Sequence, residues 1–341
     1  VTCTPDAASP TWTTFQLPPL DGAARARGVG AFLQLYGKSI SPAQADMLAG
    51  AGNCAVPLFL RLVLEELRLH PNHETLSDEL GRLLAMPDTP ALFRDALRSM
   101  DAEYGDGGLV STLLGYMSLS RRGLARADLA RLAPPAGLDR IPDRILSPVI
   151  SRLLPYLVND NGRYRLMHGI LEAALDLDDT ATRAAREHLA RHFTGEDGEA
   201  VAERVFQLLM LDDLAGIGRA LSPPAAALAL HGTDPELARR ALAAMGAGLT
   251  TPTGDLHALA SSWSGSIAGA AIDLQKAFDF ARALEEWHFV GIGLAWTSAL
   301  VDRVSSRREE LDWIGQALGT LARLHRASGD LGQAEAALAR L

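Results

Sequence analysis

A histidine between a short strand and a helix start has the position in this sequence that most directly suggests chemistry. Residues 164–169 read Tyr-Arg-Leu-Met-His-Gly and lead into an apolar run at 170–175. N–H groups at a helix start are unpaired, and the peptide dipoles favour negative charge there. His168 is therefore a candidate ligand for an anion. The alternative is a buried histidine that is hydrogen-bonded within the core.

A proline opens a strongly apolar helix earlier in the chain. The helix is predicted from Pro57 to Leu69, with leucines on one side and Glu65-Glu66 on a charged, solvated side. Proline suits the first turn of a helix, because its missing N–H would be unpaired there anyway. This helix-start preference explains Pro57 without any ligand. The alternative is that the proline ring packs on a flat ligand. A solvated face is also expected for Glu309-Glu310.

Two further groups of residues could bind a charged ligand. His188 and His192 lie one helical turn apart, as metal ligands can, but the intervening Leu-Ala-Arg lacks the glutamate of H-E-x-x-H. A solvated helix face is the favoured interpretation. A second group is basic and consists of Arg121, Arg122, Arg126 and Arg131. It could bind phosphate, DNA or an acidic partner, although a solvated surface is again the favoured interpretation.

Composition excludes several classes of protein. The 341 residues suffice for two or three domains, and a 48% hydrophobic content excludes general disorder. The formal charge of −9 argues against a nucleic-acid surface over the whole molecule. Cys3 and Cys54 form neither a disulfide framework nor a zinc site, so a reducing cytoplasm is expected. No apolar run approaches the roughly 20 residues of a membrane helix.

The chain is predicted to be mainly α, starting with a small helical domain. Residues 1–20 resemble the end of an α/β domain, and 21–104 form the small domain. Asp21 and Ser41 are predicted helix caps, followed by helices over Pro57–Leu69, 75–85 and 89–104.

Residues 105–195 are predicted to form a winged helix. Three helices, at 109–119, 125–132 and 147–154, precede two short strands at 157–159 and 163–166. Asn161-Gly162 joins the strands, and Asn-Gly is a strong hairpin signal. A further helix covers 179–194.

Residues 196–341 are predicted to form an α-solenoid. Helices are expected at about 198–211, 212–220, 223–231, 234–246, 266–286, 288–304 and 308–327. Near the end, Ala322, Gly329 and Ala334 match small positions of a tetratricopeptide (TPR) repeat, with Gly329-Asp330 as the turn. A generic helical hairpin is the alternative.

This order of elements resembles the STAND class of signalling ATPases, of the NACHT or NB-ARC type. Three positions carry the resemblance. Thr4, in Val-Thr-Cys-Thr-Pro, stands where the family has a sensor arginine. Pro57 is the proline of a split version of the "GNPLFL" signature, which begins at Gly52-Asn53 and resumes at Pro57 after an insertion, and in the family this proline packs on adenine. His168 matches the histidine of "MHD", with Gly169 in place of Asp, and in the family it contacts the β-phosphate of ADP.

The resemblance implies an ATP/ADP switch with Mg²⁺ in a longer parent protein. No G-x-x-x-x-G-K-[ST] occurs here, and no acidic pair follows an apolar strand, so this chain is expected not to hydrolyse ATP and to hold no cofactor itself. The missing N-terminal NTPase domain would supply the phosphate site. The helical repeats would bind a protein partner, without membrane or nucleic acid.

Two alternative functions stay open. The first is a winged-helix DNA-binding transcriptional regulator with a helical-repeat effector region, against which the acidic charge argues. The second is a helical scaffold without nucleotide history, which leaves the Asn161-Gly162 hairpin unexplained.

Overall fold

The computed structural model describes residues 18–104, 108–246 and 254–340. Thr4 and Cys3 lie outside the described residues. The chain divides into two compact units. Val1–Leu114 with Pro135–Asp176 forms the first unit, and Gly115–Pro134 with Leu177–Leu341 forms the second. The division into four domains made from the sequence stays a prediction.

The described residues form α-helices with three short strands. The helices are α1 (Gly22–Leu35), α2 (Pro42–Gly50), α3 (Pro57–Leu69), α4 (Leu76–Leu84), α5 (Thr89–Tyr104), α6 (Leu109–Leu119), α7 (Arg126–Leu132), α8 (Asp143–Leu153), α9 (Gly169–Glu172), α10 (Asp179–His192), α11 (Gly198–Met210), α12 (Leu214–Leu221), α13 (Pro224–Thr233), α14 (Pro235–Ala244), α15 (Gly254–Ser266), α16 (Leu274–Glu286), α17 (Val290–Ser306), α18 (Ile314–Ser328) and α19 (Leu331–Ala339). The strands are β1 (Leu124–Ala125), β2 (Leu157–Asp160) and β3 (Arg163–Leu166). The prediction of a mainly helical chain is confirmed.

Local capping chemistry sets the helix starts in the first unit. Asp21 accepts a hydrogen bond from the Ala24 N–H at 2.6 Å and caps α1. Ser41 and Gln44 form a reciprocal capping box at the start of α2, ahead of which the chain is extended. Both caps were predicted from the sequence, because they depend only on residues three apart.

Helix α5 is the centre of the first unit. It packs against α3, α8 and α9, while α3 also packs against α1 and α4. Large side chains fill the space between these helices, among them Phe59, Leu92, Phe93 and Tyr156, none more than 1% exposed. The helix that starts at Pro57 and the helix that follows His168 therefore rest on one common element.

The predicted hairpin is present. β2 and β3 pair antiparallel, with Leu157 opposite Leu166 and Asp160 opposite Arg163. Asn161 and Gly162 have φ values of 51° and 81°, the left-handed conformations that a two-residue type I′ turn requires at both positions. The predicted helices α6, α7 and α8 are present too, but their assembly as a winged helix stays a prediction.

Two helices of the first unit differ from prediction. α8 begins at Asp143, about one turn earlier than predicted, and continues through Pro148. Proline there costs one backbone hydrogen bond, but the apolar face of the helix is buried. The apolar run at 170–175 is only the single turn α9 and a 3₁₀ turn at Ala173–Leu175, which ends at the left-handed Asp176.

The helices of the second unit pack as antiparallel neighbours in two rows. α11, α13, α16 and α18 contact one another in succession, and α12, α15 and α17 do the same alongside them. A continuous buried core joins the rows, with Trp263 and Trp296 fully buried in it. This pattern, in which helices of successive pairs contact one another along each row, is that of an α-solenoid.

The last helix pair has the geometry predicted for it. Gly329 has a φ of 85°, and its N–H donates to Arg326 while that of Asp330 donates to His325. This is the Schellman ending of a helix, which favours glycine because its φ is positive. Ala322 and Ala334 are buried where α18 packs on α19.

One predicted helix of the second unit is wrong. The segment 266–286 is not continuous, because α15 ends at Ser266 and α16 starts at Leu274. Arg303 explains the break: its Nη1 donates to the carbonyl oxygens of Ile267 and Ala270, at 3.0 and 2.6 Å. This partner lies more than 30 residues away, so no local pattern reveals it. Within the described part of the chain, no helix is long and apolar enough to cross a membrane.

Candidate functional site

Pro57 occupies the first turn of α3 and is exposed to solvent. Gly52-Asn53 of the family-like signature and the first two inserted residues, Cys54-Ala55, form a 3₁₀ turn just before it. The Asn53 side chain holds this turn by donating to the Met86 carbonyl at 2.8 Å. Cys54 is completely buried under the turn, and burial raises the pKa of its thiol to about 11, an effect that Arg25 opposes. The local structure thus fixes the start of α3 and leaves the proline ring uncovered.

His168 lies between β3 and α9 and is exposed. The alternative of a buried, core-bonded histidine is therefore wrong. Its backbone is extended, with φ −148° and ψ 128°, and its side chain does not cap the helix. Because α9 has only four residues, the aligned peptide dipoles behind it are few. The helix that starts after His168 is therefore shorter than the predicted run at 170–175, and its peptide dipoles add little to an anion site.

The predicted solvated face at Glu65-Glu66 is wrong. Glu65 is 2% exposed and pairs with Arg68 at 2.9 Å. Glu66 binds two partners with its two oxygens: Arg152 Nη2 lies 2.7 Å from Oε2, and the Tyr156 hydroxyl donates to Oε1 at 2.7 Å.

Apolar residues of α3 flank the two glutamates, and Leu62, Val63 and Leu67 are buried beside them. Carboxylates that are buried in this way need internal partners, which the helical pattern alone does not identify.

Arg121 is not on a solvated surface either, which corrects that prediction. Its side chain is 9% exposed, and its two terminal nitrogens pair with Asp234 at 2.6 Å and Glu199 at 2.9 Å. Its backbone N–H donates to the carboxylate of Glu203, which is itself 3% exposed. Arg121 therefore binds elements of its own unit, α11 and the start of α14, instead of an external anion.

The two histidines of α10 are partly buried, contrary to prediction. The His188 ring packs on Tyr116, with 5.4 Å between ring centroids, and burial lowers its pKa. The His192 Nε2 atom lies at hydrogen-bond distance, 3.1 Å, from Asp128. They thus point to different partners, and no group of three metal-ligating side chains occurs within residues 18–104, 108–246 and 254–340.

Glu310 is a third case of an expected surface carboxylate with an internal role. Arg303 is 4% exposed and binds both Glu310 oxygens at 2.9 Å. The hydrogen bond from Arg303 lowers the pKa of Glu310. Together with the carbonyl contacts of Arg303, this pair fixes the segment between α15 and α16.

An open groove lies beside α1 in the first unit. It has a volume of about 560 Å³ and adjoins a second of about 240 Å³, which shares Leu33, Lys38, Ser39 and Ile40 with it. Gly37-Lys38-Ser39 has the last three letters of a P-loop, but Phe32 stands where the first glycine is required and a helix precedes it. Lys38 Nζ donates to the Arg68 carbonyl, so its ammonium already has a partner.

Comparison with known proteins supports the helical array. The chain is 30% identical over 123 residues to a TPR repeat-containing protein of Dictyostelium discoideum, which is 36% of this chain and 7% of that protein. The chain thus matches only a small part of that relative's length. No protein-family description matches the chain. No solved structure matches it either. The second unit is a TPR-like helical array.

Proposed function

We propose that this chain is the regulatory and sensor portion of a STAND-type signalling ATPase of the NACHT or NB-ARC kind. In the parent protein, the first unit would close over nucleotide bound by a preceding ATP-binding domain. The helical array of the second unit would bind a protein partner. Exchange of ADP for ATP would then shift an equilibrium between a closed and an open arrangement.

One observation carries the proposal. Pro57 and His168, the two described residues that the resemblance assigns to nucleotide contact, are both exposed and belong to the same compact unit. They stand at the starts of α3 and α9, and each of these helices packs on α5. An exposed helix-start proline and an exposed histidine after a hairpin are what a nucleotide-facing surface of this family requires.

Three departures from the family pattern limit what this surface would do. Thr4 cannot reproduce the charge of a sensor arginine. Gly169 lacks the carboxylate that follows the family histidine, and the 3₁₀ turn before Pro57 lengthens the signature. The proposal therefore assigns adenine packing to Pro57 and β-phosphate contact to His168, and no γ-phosphate sensing or Mg²⁺ ligation to the described residues.

The assignment to a protein partner rests on the array. TPR-like arrays present extended surfaces built from repeated helix pairs, and such surfaces generally bind other proteins. The proposal further places the protein in the cytoplasm and assigns this chain no hydrolytic activity of its own, since the phosphate-binding loop would belong to the preceding domain.

One arginine that the DNA-binding alternative would use is already paired within the protein. Arg121 was a candidate phosphate contact, but its guanidinium is occupied by Glu199 and Asp234. A salt-dependent DNA-binding assay tests this alternative directly, because phosphate contacts weaken steeply as salt rises.

The proposal is tested with a protein that carries this chain behind its ATP-binding domain. We expect purified protein to retain ADP, and His168→Ala to release it faster. His257→Ala is the matched control, since His257 is another exposed histidine, on α15 of the second unit. Equal ADP release from both variants and the unmodified protein would overturn the nucleotide role.

A further inference from the structure

Tyr156 is hydrogen-bonded to both chain segments that carry the residues assigned to the nucleotide. Its carbonyl oxygen accepts a hydrogen bond from the N–H of Met167 at 3.0 Å, one residue before His168. Its hydroxyl donates to Glu66 at 2.7 Å, and Glu66 is on α3, the helix that starts at Pro57. One side chain and its own backbone therefore connect the end of the hairpin to α3.

The surroundings of Tyr156 hold it in one place. The residue is completely buried, and its ring packs on Phe93 of α5 with 5.2 Å between ring centroids. The second oxygen of Glu66 is bound by Arg152 of α8 at 2.7 Å. Both oxygens of this carboxylate, whose side chain is 13% exposed, thus have a partner, and the ring has little freedom to move.

Packing alone does not explain the hydroxyl. A phenylalanine would fill nearly the same volume without requiring a buried carboxylate opposite it, and burying polar groups costs free energy unless they are bonded. Arg152 shows this cost, because its Nη1 is buried without a hydrogen-bond partner. A polar network kept under such conditions fixes geometry more than it adds stability.

We propose that Tyr156 is a positioning residue, which sets the backbone at Met167-His168 relative to α3 and so sets His168 relative to Pro57. This inference rests on the proposed function, because the nucleotide is what the two positioned residues would share. It adds a third residue, buried and distant from any ligand, to the determinants of that surface.

The experiment measures the distance between the two helix starts in the 341-residue chain. Spin labels are attached at Val56→Cys and Ile170→Cys, both exposed positions, in a background of Cys3→Ser and Cys54→Ala. We expect one narrow distance distribution in this background. Tyr156→Phe should broaden it or add a second population, and should speed exchange of the Met167 amide about fivefold, as for loss of one net hydrogen bond.

Further variants separate positioning from general stability. Leu80→Val removes a methylene from a buried side chain on α4 of the same unit and should leave the distribution narrow. Glu66→Gln keeps an acceptor oxygen for the hydroxyl and should also keep it narrow. Glu66→Ala removes the acceptor and should broaden it, so this variant carries the test if Tyr156→Phe fails to fold. A distribution that is unchanged in Tyr156→Phe, or that broadens equally in Leu80→Val, would overturn the inference.

Neither readout uses nucleotide. Failure of ADP retention in the longer protein would overturn the proposed function while a broadened distribution in Tyr156→Phe still supported the positioning role. Normal ADP retention with an unchanged distance distribution in Tyr156→Phe would support the proposed function and overturn the positioning role.

Discussion

The guanidinium of Arg121 and the carboxylate of Asp234 lie 2.6 Å apart, although 113 residues separate them in the chain. The other oxygen of Asp234 accepts from the Leu237 N–H and caps α14. One carboxylate therefore both starts a helix of the array and binds the turn that follows α6. Glu199, on the first turn of α11, completes the cluster.

We expect Arg121→Ala to destabilise the second unit by about 1–3 kcal/mol, because it removes the charge-assisted hydrogen bonds of a largely buried guanidinium to Glu199 and Asp234. The measurement is urea unfolding followed by tryptophan fluorescence, since Trp263 and Trp296 report on this core. Arg122→Ala is the control: its side chain is 54% exposed and reaches Glu199 only at 3.4 Å. That control should change stability by no more than about 0.5 kcal/mol. Equal effects of the two variants would contradict the prediction.

The helix caps and turns that were predicted correctly from the sequence are those that short-range interactions determine. Asp21 and Ser41 each cap a helix by accepting a hydrogen bond from an N–H three positions along the chain. The hairpin turn at Asn161-Gly162 depends only on the φ angles of those two residues. The turn at Gly329 is local in the same sense. Pattern and propensity therefore gave these elements and their order without any knowledge of the tertiary structure.

The sequence did not predict partners that folding brings together from far apart. Glu66 meets Arg152 and Tyr156 across 86 and 90 residues, and Arg303 ends α15 from more than 30 residues away. A charged residue in a helical pattern looks solvated unless its distant partner is known. The apolar run after His168 was predicted as one helix, but the folded chain forms only the single turn α9 and a 3₁₀ turn there.

One glycine within α18 and the glycine that ends it should respond oppositely to substitution by alanine. Gly329→Ala should destabilise the array by about 1 kcal/mol, because its φ of 85° is unfavourable for a residue with a Cβ. Gly319→Ala should stabilise it by up to about 1 kcal/mol, because Gly319 lies inside the helix with room for a methyl group. Urea midpoints of the two variants check both signs. A loss of stability at Gly319 equal to that at Gly329 would show that strain is not the cause.

Stability of the first unit should fall at alkaline pH in a way that depends on Cys54. Its thiol has a pKa of about 11 when folded, raised by burial from 9.0, so the folded state keeps a proton that the unfolded state loses. This contribution is complete below pH 9 and is lost as the pH rises through about 11, for a total of about 3 kcal/mol. Denaturant unfolding of the first unit at pH 8, 9, 10 and 11 measures the slope.

Cys54→Ala provides the control for that slope. The variant should lose the part of the pH dependence that begins near pH 9. Tyr156, whose pKa burial raises well above its ordinary value, still adds a loss of the same sign at higher pH. Identical slopes between pH 9 and 10 in both proteins would show that the thiol does not contribute.

The chain by itself should bind ATP or ADP weakly or not at all. A proline ring and one imidazole cannot replace the row of backbone N–H groups, the lysine and the metal that hold nucleotide phosphates. Titration calorimetry with Mg²⁺-ATP tests this on the 341-residue protein. Micromolar affinity would require a phosphate site elsewhere in the chain, and Lys38→Ala would then be the first variant to examine, because its ammonium lies beside the groove.

His168→Ala should activate the parent protein without unfolding it. The side chain is exposed, so its removal should change the stability of this chain by no more than about 0.5 kcal/mol. In the parent, loss of one charge-assisted hydrogen bond to ADP costs about 1.5–3 kcal/mol. If that bond exists only in the closed state, the closed–open equilibrium shifts by about ten- to a hundredfold. Ligand-free oligomerisation should rise accordingly, while thermal melts of the variant match those of the unmodified protein. A variant that keeps its melting temperature and stays monomeric would exclude the switch role of His168, whereas one that melts early would show that the exposed histidine stabilises the fold through a contact of another kind.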